Sequence, residues 1–165
     1  MRSLVTRLSL PLLLAAMVGS PAAVAQTWVD AKNPKTLFAL AKAEGFAPEI
    51  INKKGEAPSF RMSVNGTNSL VLFMDCDDAK TNCKTIQFYA GYSISDVFET
   101  DRINQWNRKK RFARAYVDDS GDPVIEMDVD LDFNGLPREN IVESFAIWKS
   151  LVSSFGKFVN GEEAE

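Results

Sequence analysis

The chain has 165 residues, 19 lysines plus arginines against 22 aspartates plus glutamates, two cysteines and no histidine, for a formal net charge of −3. Without histidine there is no Ser-His-Asp or Cys-His relay, no histidine metal pair, and no side chain whose ordinary pKa lies near neutrality. One domain is expected from this length, and a composition 45% hydrophobic and 25% charged is that of a water-soluble globule.

The first 25 residues read as a secretory signal peptide. Arg2 and Arg7 make a basic end, Leu8 to Val18 an apolar run, and Ala23-Val24-Ala25 the small residues that a signal peptidase requires. The apolar run is about half the roughly 20 residues needed to cross a bilayer, so it does not read as a membrane anchor. Cleavage after Ala25 predicts a mature chain starting at Gln26, with residues 26–34 as a lead, no stable membrane insertion, and a periplasmic or secreted location. In such an oxidising compartment the pair Cys76-x6-Cys83 reads as a disulfide. The spacing does not fit a Cys-x-x-Cys redox motif, and two cysteines alone do not complete a structural zinc site.

The mature chain opens with Asn33-Pro34, an N-cap and first helical residue, followed by Leu37, Phe38, Leu40 and Ala41 on one face and Gly45 as the stop. Phe46 to Asn52 is a candidate strand, and Lys54-Gly55-Glu56 turns into a second at Ser59 to Val64. Asn65-Gly66 is a hairpin signal leading into Ser69 to Cys76. Leu70 to Met74 is apolar at every position, so this strand is expected in the sheet interior, covered on both faces over part of its length. With Cys76 opposite Cys83, antiparallel pairing sets Asp75 against Lys84, Phe73 against Ile86 and Val71 against Phe88, in a strand from Cys83 to Gly91.

A helix follows, with Asp96 and Glu99 at N-cap and N3 spacing, Val97, Ile103 and Trp106 on its buried side, and an end near Asn107. Phe112 to Asp118 and Pro123 to Phe133 then form a hairpin about Asp119-Ser120-Gly121-Asp122. Ile125, Met127, Val129 and Leu131 share one face with Ala113, Ala115 and Val117 across the hairpin. Glu126, Asp128, Asp130 and Asp132 share the other, with Arg114 beside them. The last helix begins at Pro137 and carries Ile141, Phe145, Trp148, Val152 and Phe155 at spacings of four, three, four and three. Gly156 is expected to end its regular part, and residues 159–165 read as a loose acidic tail. The order α-β-β-β-α-β-β-α, with room for a further early strand, gives an α+β domain: three helices on an antiparallel sheet of five to six strands.

Several of these segments resemble the YbjN family, described as bacterial sensory transduction regulators. They are Gly45-Phe46, Leu72-Phe73-Met74, Ile86-Gln87-Phe88-Tyr89-Ala90-Gly91, and above all Ile103-Asn104-Gln105-Trp106-Asn107 followed by Arg111-Phe112-Ala113-Arg114-Ala115-Tyr116. The resemblance runs over residues 35–158. It implies a fold similar to the dimeric chaperones of type III secretion, and it carries over no catalytic residue, cofactor or metal site. The signal segment and the cysteine pair set this chain apart from cytoplasmic members.

The residues most like the family are Trp106, Asn107, Arg111, Phe112 and Arg114. One account is structural: Trp106 buries against the sheet, Asn107 caps the helix exit and Phe112 fixes the following strand. The other places them in a groove or dimer surface that binds apolar segments. The basic block Arg108 to Arg111 reads as a solvated helix end, its cations favoured at the C-terminal dipole, rather than as a nucleic-acid contact. Glu126 to Asp132 reads as a solvated, edge-protecting face. Asp75, Asp77, Asp78 and Asn82 lack the glycine and glutamate spacing of an EF-hand. Ser93, Ser95, Ser120 and Ser144 lack a base partner and a nucleophile elbow. The expectation is a non-catalytic exported module that binds a protein or peptide, with a homodimer left open. The alternative is an exported carboxylate-dependent hydrolase drawing on Glu126 to Asp132.

Overall fold

The computed structural model describes residues 26–51 and 53–162; the signal segment expected at residues 1–25 and the tail beyond Glu162 lie outside them. The elements are β1 (Trp28–Val29), α1 (Pro34–Ala43), β2 (Glu49–Ile51), β3 (Ser59–Val64), β4 (Thr67–Met74), β5 (Thr85–Gly91), α2 (Thr100–Lys109), β6 (Arg114–Val117), β7 (Pro123–Asp130), β8 (Leu136–Pro137) and α3 (Arg138–Val159). Six strands form one antiparallel sheet in the order β2-β3-β4-β5-β7-β6. The expected α+β architecture of three helices on such a sheet is what the chain adopts.

Local chemistry sets the early elements. The Asn33 side chain accepts the Lys35 N–H, and Pro34 occupies the first turn of α1, where no N–H is needed. At the other end Gly45, at φ 85°, closes a Schellman motif in which Phe46 N–H donates to Ala41 C=O and Gly45 N–H to Lys42 C=O. Asn65 and Gly66 both take positive φ, as the tight β3–β4 hairpin requires. The register of β4 on β5 is the expected one, with Phe73 opposite Ile86 and Val71 opposite Phe88.

The core lies between one sheet face and the helices. Phe60, Met62, Val71, Phe73, Ile86, Phe88 and Ile125 point inward and are buried. The α3 residues Ile141, Phe145, Trp148, Val152 and Phe155 are all buried too, and each contributes about 1.5–3 kcal/mol by leaving water. Phe88 meets Phe145 edge-on at 5.3 Å and Trp148 at 5.5 Å. A polar tie runs through this layer: Trp148 Nε1–H donates to Ser69 Oγ at 2.7 Å, and the Ser69 hydroxyl donates to the Tyr89 carbonyl at 3.2 Å.

Six expectations are corrected. The central strand β4 is not covered on both faces, because Leu70 and Leu72 are only half-buried and Met74 is exposed. Asp75 takes positive φ just past β4, so Lys84 pairs with Asp132 at 3.5 Å rather than with Asp75. The second helix starts at Thr100 and not at Asp96. Glu99 occupies its N-cap without a side-chain bond, and Val97 is exposed while Phe98 takes the buried place. The lead of residues 26–34 is in part a strand: β1 pairs with β8, and Val29 and Ala31 are buried. Gly135 makes this possible, since a Cβ there would lie 2.1 Å from the Val29 carbonyl oxygen. Gly156 does not end α3, which continues to Val159. The Tyr92 ring packs beside it at ordinary contact distance, and the Tyr92 hydroxyl donates to the Val152 carbonyl at 2.9 Å. Finally, the start of the expected tail is held down, with Asn160, Gly161 and Glu162 N–H groups bonded to the last turn of α3.

Candidate functional site

The segment that joins α2 to β6 carries the family-like residues, and the structure sends them to different places. Trp106 is buried, with its ring 4.9 Å from Phe155 and 5.3 Å from Phe158. It therefore packs α2 against α3 within the common core. Its indole nitrogen has no hydrogen-bond partner among the described residues, and the Lys110 ammonium lies 5.2 Å from the ring centre.

Asn107 does not cap the helix exit. Its side-chain amide donates to the Ala115 carbonyl at 3.0 Å and accepts the Ala115 N–H at 2.9 Å. That amide thus stands in for one residue of a neighbouring strand and closes the outer edge of β6, satisfying two main-chain groups that would otherwise face open space.

Phe112 does not fix the strand. Its φ is 71°, in the left-handed region that a bulky side chain rarely adopts, and its ring is 61% exposed with the Arg111 guanidinium 4.9 Å away. Such a backbone costs about 1–3 kcal/mol, and such costs recur where a ligand is clamped. Phe112 lines a groove of about 260 Å³ with Met127, Val129, Leu136 and Ile147 as its apolar wall and Asp128, Asn140, Glu143 and Ser144 as its polar one. A second aromatic repeats the pattern 21 residues on: Phe133, just beyond β7, has φ 59° and is 83% exposed.

Arg114 belongs to the opposite sheet face. There Tyr89, Glu126 and Arg114 lie in register across β5, β7 and β6. Glu126 is buried, which corrects the expectation of a solvated residue. Arg114 donates to its Oε2 from Nε at 2.9 Å and from Nη2 at 2.6 Å, and the Tyr116 hydroxyl donates to its Oε1 at 2.8 Å. Burial, helped by the hydrogen bond to Glu126, pushes the Tyr116 phenol up to about 12. Both Glu126 oxygens are thus engaged by donors within the chain. Asp128 accepts from Gln87 at 2.9 Å, while Asp128 and Asp130 remain exposed along the strand.

The loop from Asp75 to Lys84 is closed by the Cys76–Cys83 disulfide. Within it Asp77 accepts from the Thr81 N–H and hydroxyl and from the Asn82 amide, and the Thr81 N–H in particular holds its carboxyl below the usual range. Among the described residues no helix is long and apolar enough to cross a membrane.

Sequence reasoning missed Glu126, Tyr116 and Tyr89 as one cluster, and missed Phe133; of the residues it offered for a groove, Phe112 lines the one described above. Counting back from the Asp119–Asp122 turn pairs Arg114 with Glu126, so the first was within reach. For Phe133 the signal is an aromatic set among turn formers, Asp132-Phe133-Asn134-Gly135.

The fold class is thus an α+β domain of three helices on a six-stranded antiparallel sheet. Residues 33–160 match the YbjN family, described as "Putative bacterial sensory transduction regulator", and the chain belongs to that family. No curated protein matches it. Among solved structures the chain is similar to an uncharacterized protein from Methanothermobacter thermautotrophicus, at 10% identity with a TM-score of 0.51. The match covers 78% of this chain and 98% of that one, a likeness of fold alone.

Proposed function

We propose that this protein is an exported, non-catalytic regulator of the YbjN type that works by binding a protein or peptide. The observation that carries this reading is the pair of exposed aromatic side chains, Phe112 and Phe133, held on left-handed backbone, with Phe112 on the apolar wall of a groove whose other wall is polar. Aromatic surface kept in water at a conformational cost is what a binding surface requires and a purely structural role does not. The family's description as a regulator agrees with it. Export draws support from the signal-like residues 1–25 and from the disulfide, which persists in oxidising compartments.

The test is in-cell crosslinking of the exported protein carrying a photoreactive phenylalanine analogue in place of Phe112 or, separately, of Phe133. A discrete crosslinked partner is expected in the periplasmic fraction from each, weakened when the other phenylalanine is replaced by alanine. Retention of the chain in the cytoplasm with residues 1–25 intact would refute export. The absence of any adduct at Phe112 and Phe133 would refute the binding role.

A further inference from the structure

The strand β7 has eight residues, but its edge neighbour β6 has four, pairing only Arg114 to Val117 with Glu126 to Pro123. The direction of the main-chain groups follows from one contact. Ala115 turns its N–H and C=O outward to Asn107, so Arg114 and Tyr116 turn theirs inward to Glu126 and Val124. Along β7 the groups of Ile125, Met127 and Val129 then point to β5, and those of Glu126, Asp128 and Asp130 point to the β6 side. Leu131 N–H bonded to the Lys84 carbonyl, on the β5 side, continues the same alternation. Beyond Arg114 there is no further strand on that side among the described residues, so the N–H and C=O groups of Asp128 and Asp130 face an open edge. Phe112 produces the opening: it would stand opposite Asp128 if β6 continued, and its positive φ turns the chain away to α2 instead.

The pleat divides the side chains at this edge. Met127 and Val129 face the groove walled by Phe112, Leu136 and Ile147, while Asp128 and Asp130 alternate to the other sheet face, Asp128 also bordering the groove at its rim. Glu143 of α3 adds an exposed acid to the groove's lining beside Asp128. Gln87 and the Asp132 N–H orient the Asp128 and Asp130 carboxylates, and the nearby cation Arg114, which also interacts with Asp128, is committed to Glu126 by two hydrogen bonds. This charge chooses between occupants. A second copy docking through the same edge would set aspartate against aspartate, whereas a strand bearing cations meets opposite charges directly across.

Resting on the binding role argued above, we propose that the open stretch of β7 is where the partner docks. The occupant is an extended segment alternating cationic and apolar residues, which adds to the sheet as a strand beside Asp128 and Asp130. Its main chain satisfies the four free groups, its cations lie over the two aspartates, and its apolar side chains enter the groove.

The experiment uses the mature chain and a short synthetic peptide alternating lysine and valine, with a glutamate–valine peptide and a copy of the lysine peptide N-methylated on alternate residues as controls. Amide resonances and hydrogen exchange are read by NMR. With the lysine peptide, exchange at Asp128 and Asp130 is expected to slow by at least about tenfold as their protons enter strand hydrogen bonds. Both controls are expected to leave them unchanged. In the double variant Asp128→Lys with Asp130→Lys, whose substitutions are exposed, preference is expected to invert to the glutamate peptide. Shifts confined to Leu70, Tyr89 or another surface would overturn the site while leaving a peptide-binding role standing. Silence of every amide at saturating peptide, or equal response to the lysine and glutamate peptides, would overturn the proposal, and the crosslinking experiment then decides the binding role separately.

Discussion

Replacing Ser69 by alanine removes one oxygen from the middle of the protein and strands a donor. Ser69 is fully buried, accepts the Trp148 indole N–H at 2.7 Å and donates to the Tyr89 carbonyl at 3.2 Å. Tyr89 is a ladder residue, so the loss at its carbonyl is minor; the loss at Trp148 is not, because its ring is fully buried against Phe88 and no water replaces the bond. A buried donor left unpaired costs about 1–3 kcal/mol, and Ser69→Ala is expected near 2 kcal/mol. For a domain of this size that lowers the thermal midpoint by roughly 6–10 °C. The assay is urea unfolding followed by tryptophan fluorescence and circular dichroism on four proteins: wild type, Ser69→Ala, Trp148→Phe and the double variant. Trp148→Phe removes the donor, so Ser69→Ala on that background is expected to cost under about 0.5 kcal/mol, a coupling of about 1.5 kcal/mol. Equal costs of Ser69→Ala on the two backgrounds would show that the hydroxyl acts through packing alone and refute the reasoning.

Trp106→Phe is expected to cost at least about 1 kcal/mol less than Trp148→Phe in the same unfolding assay. It removes a buried N–H that has no partner among the described residues, whereas Trp148→Phe removes one that is satisfied. Replacing both Cys76 and Cys83 by serine is expected to destabilise by about 2.5 kcal/mol, the loop-closure value for so short a loop, with wild type in excess reductant showing a comparable loss. A change under about 0.5 kcal/mol would mean that the loop holds itself through Asp77. The Tyr116 phenol, raised to about 12 from its ordinary value of 10, binds its proton more tightly folded than unfolded. Its contribution is therefore complete below pH 10 and lost as pH rises from 10 through 12, so stability is expected to decline over that window. In Tyr116→Phe that decline is expected to be shallower in the pH dependence of the unfolding midpoint, and an unchanged slope would count against the Glu126–Tyr116 bond.

Period and turn chemistry made most of the fold legible. The α3 face from Ile141 to Phe155 followed from helical spacing, and the β4–β5 register from matching cysteines, charges and apolar pairs. What escaped was decided by distant partners. Trp28 and Val29 form a strand only because residues 136 and 137 lie beside them, and nothing local in Trp-Val announces it. Gly156 read as a stop, yet α3 runs on through it, with Tyr92, more than sixty residues away, hydrogen-bonded to the same stretch at Val152. At the candidate site, residue type singled out Trp106, Asn107 and Phe112, but their roles depended on neighbours. Asn107 closes a strand edge, Trp106 ties two helices, and Phe112 stands in the open. Glu126 was misread because alternation alone assigns a face, while the burial of that face depends on Arg114, Tyr116 and Tyr89 gathering over it.

The short β1–β8 pair has a consequence for the order in which the domain is completed. β1 is made more than a hundred residues before its partner, and the Arg138 N–H that seals the pair to the Thr27 carbonyl follows immediately after β8. Whichever way the chain emerges, its beginning has nothing to fold against until nearly all of it is available. The pair acts as a closing latch: a chain interrupted before residue 136 keeps a loose amino end, and a tag fused at Gln26 sits against the joint that completes the structure.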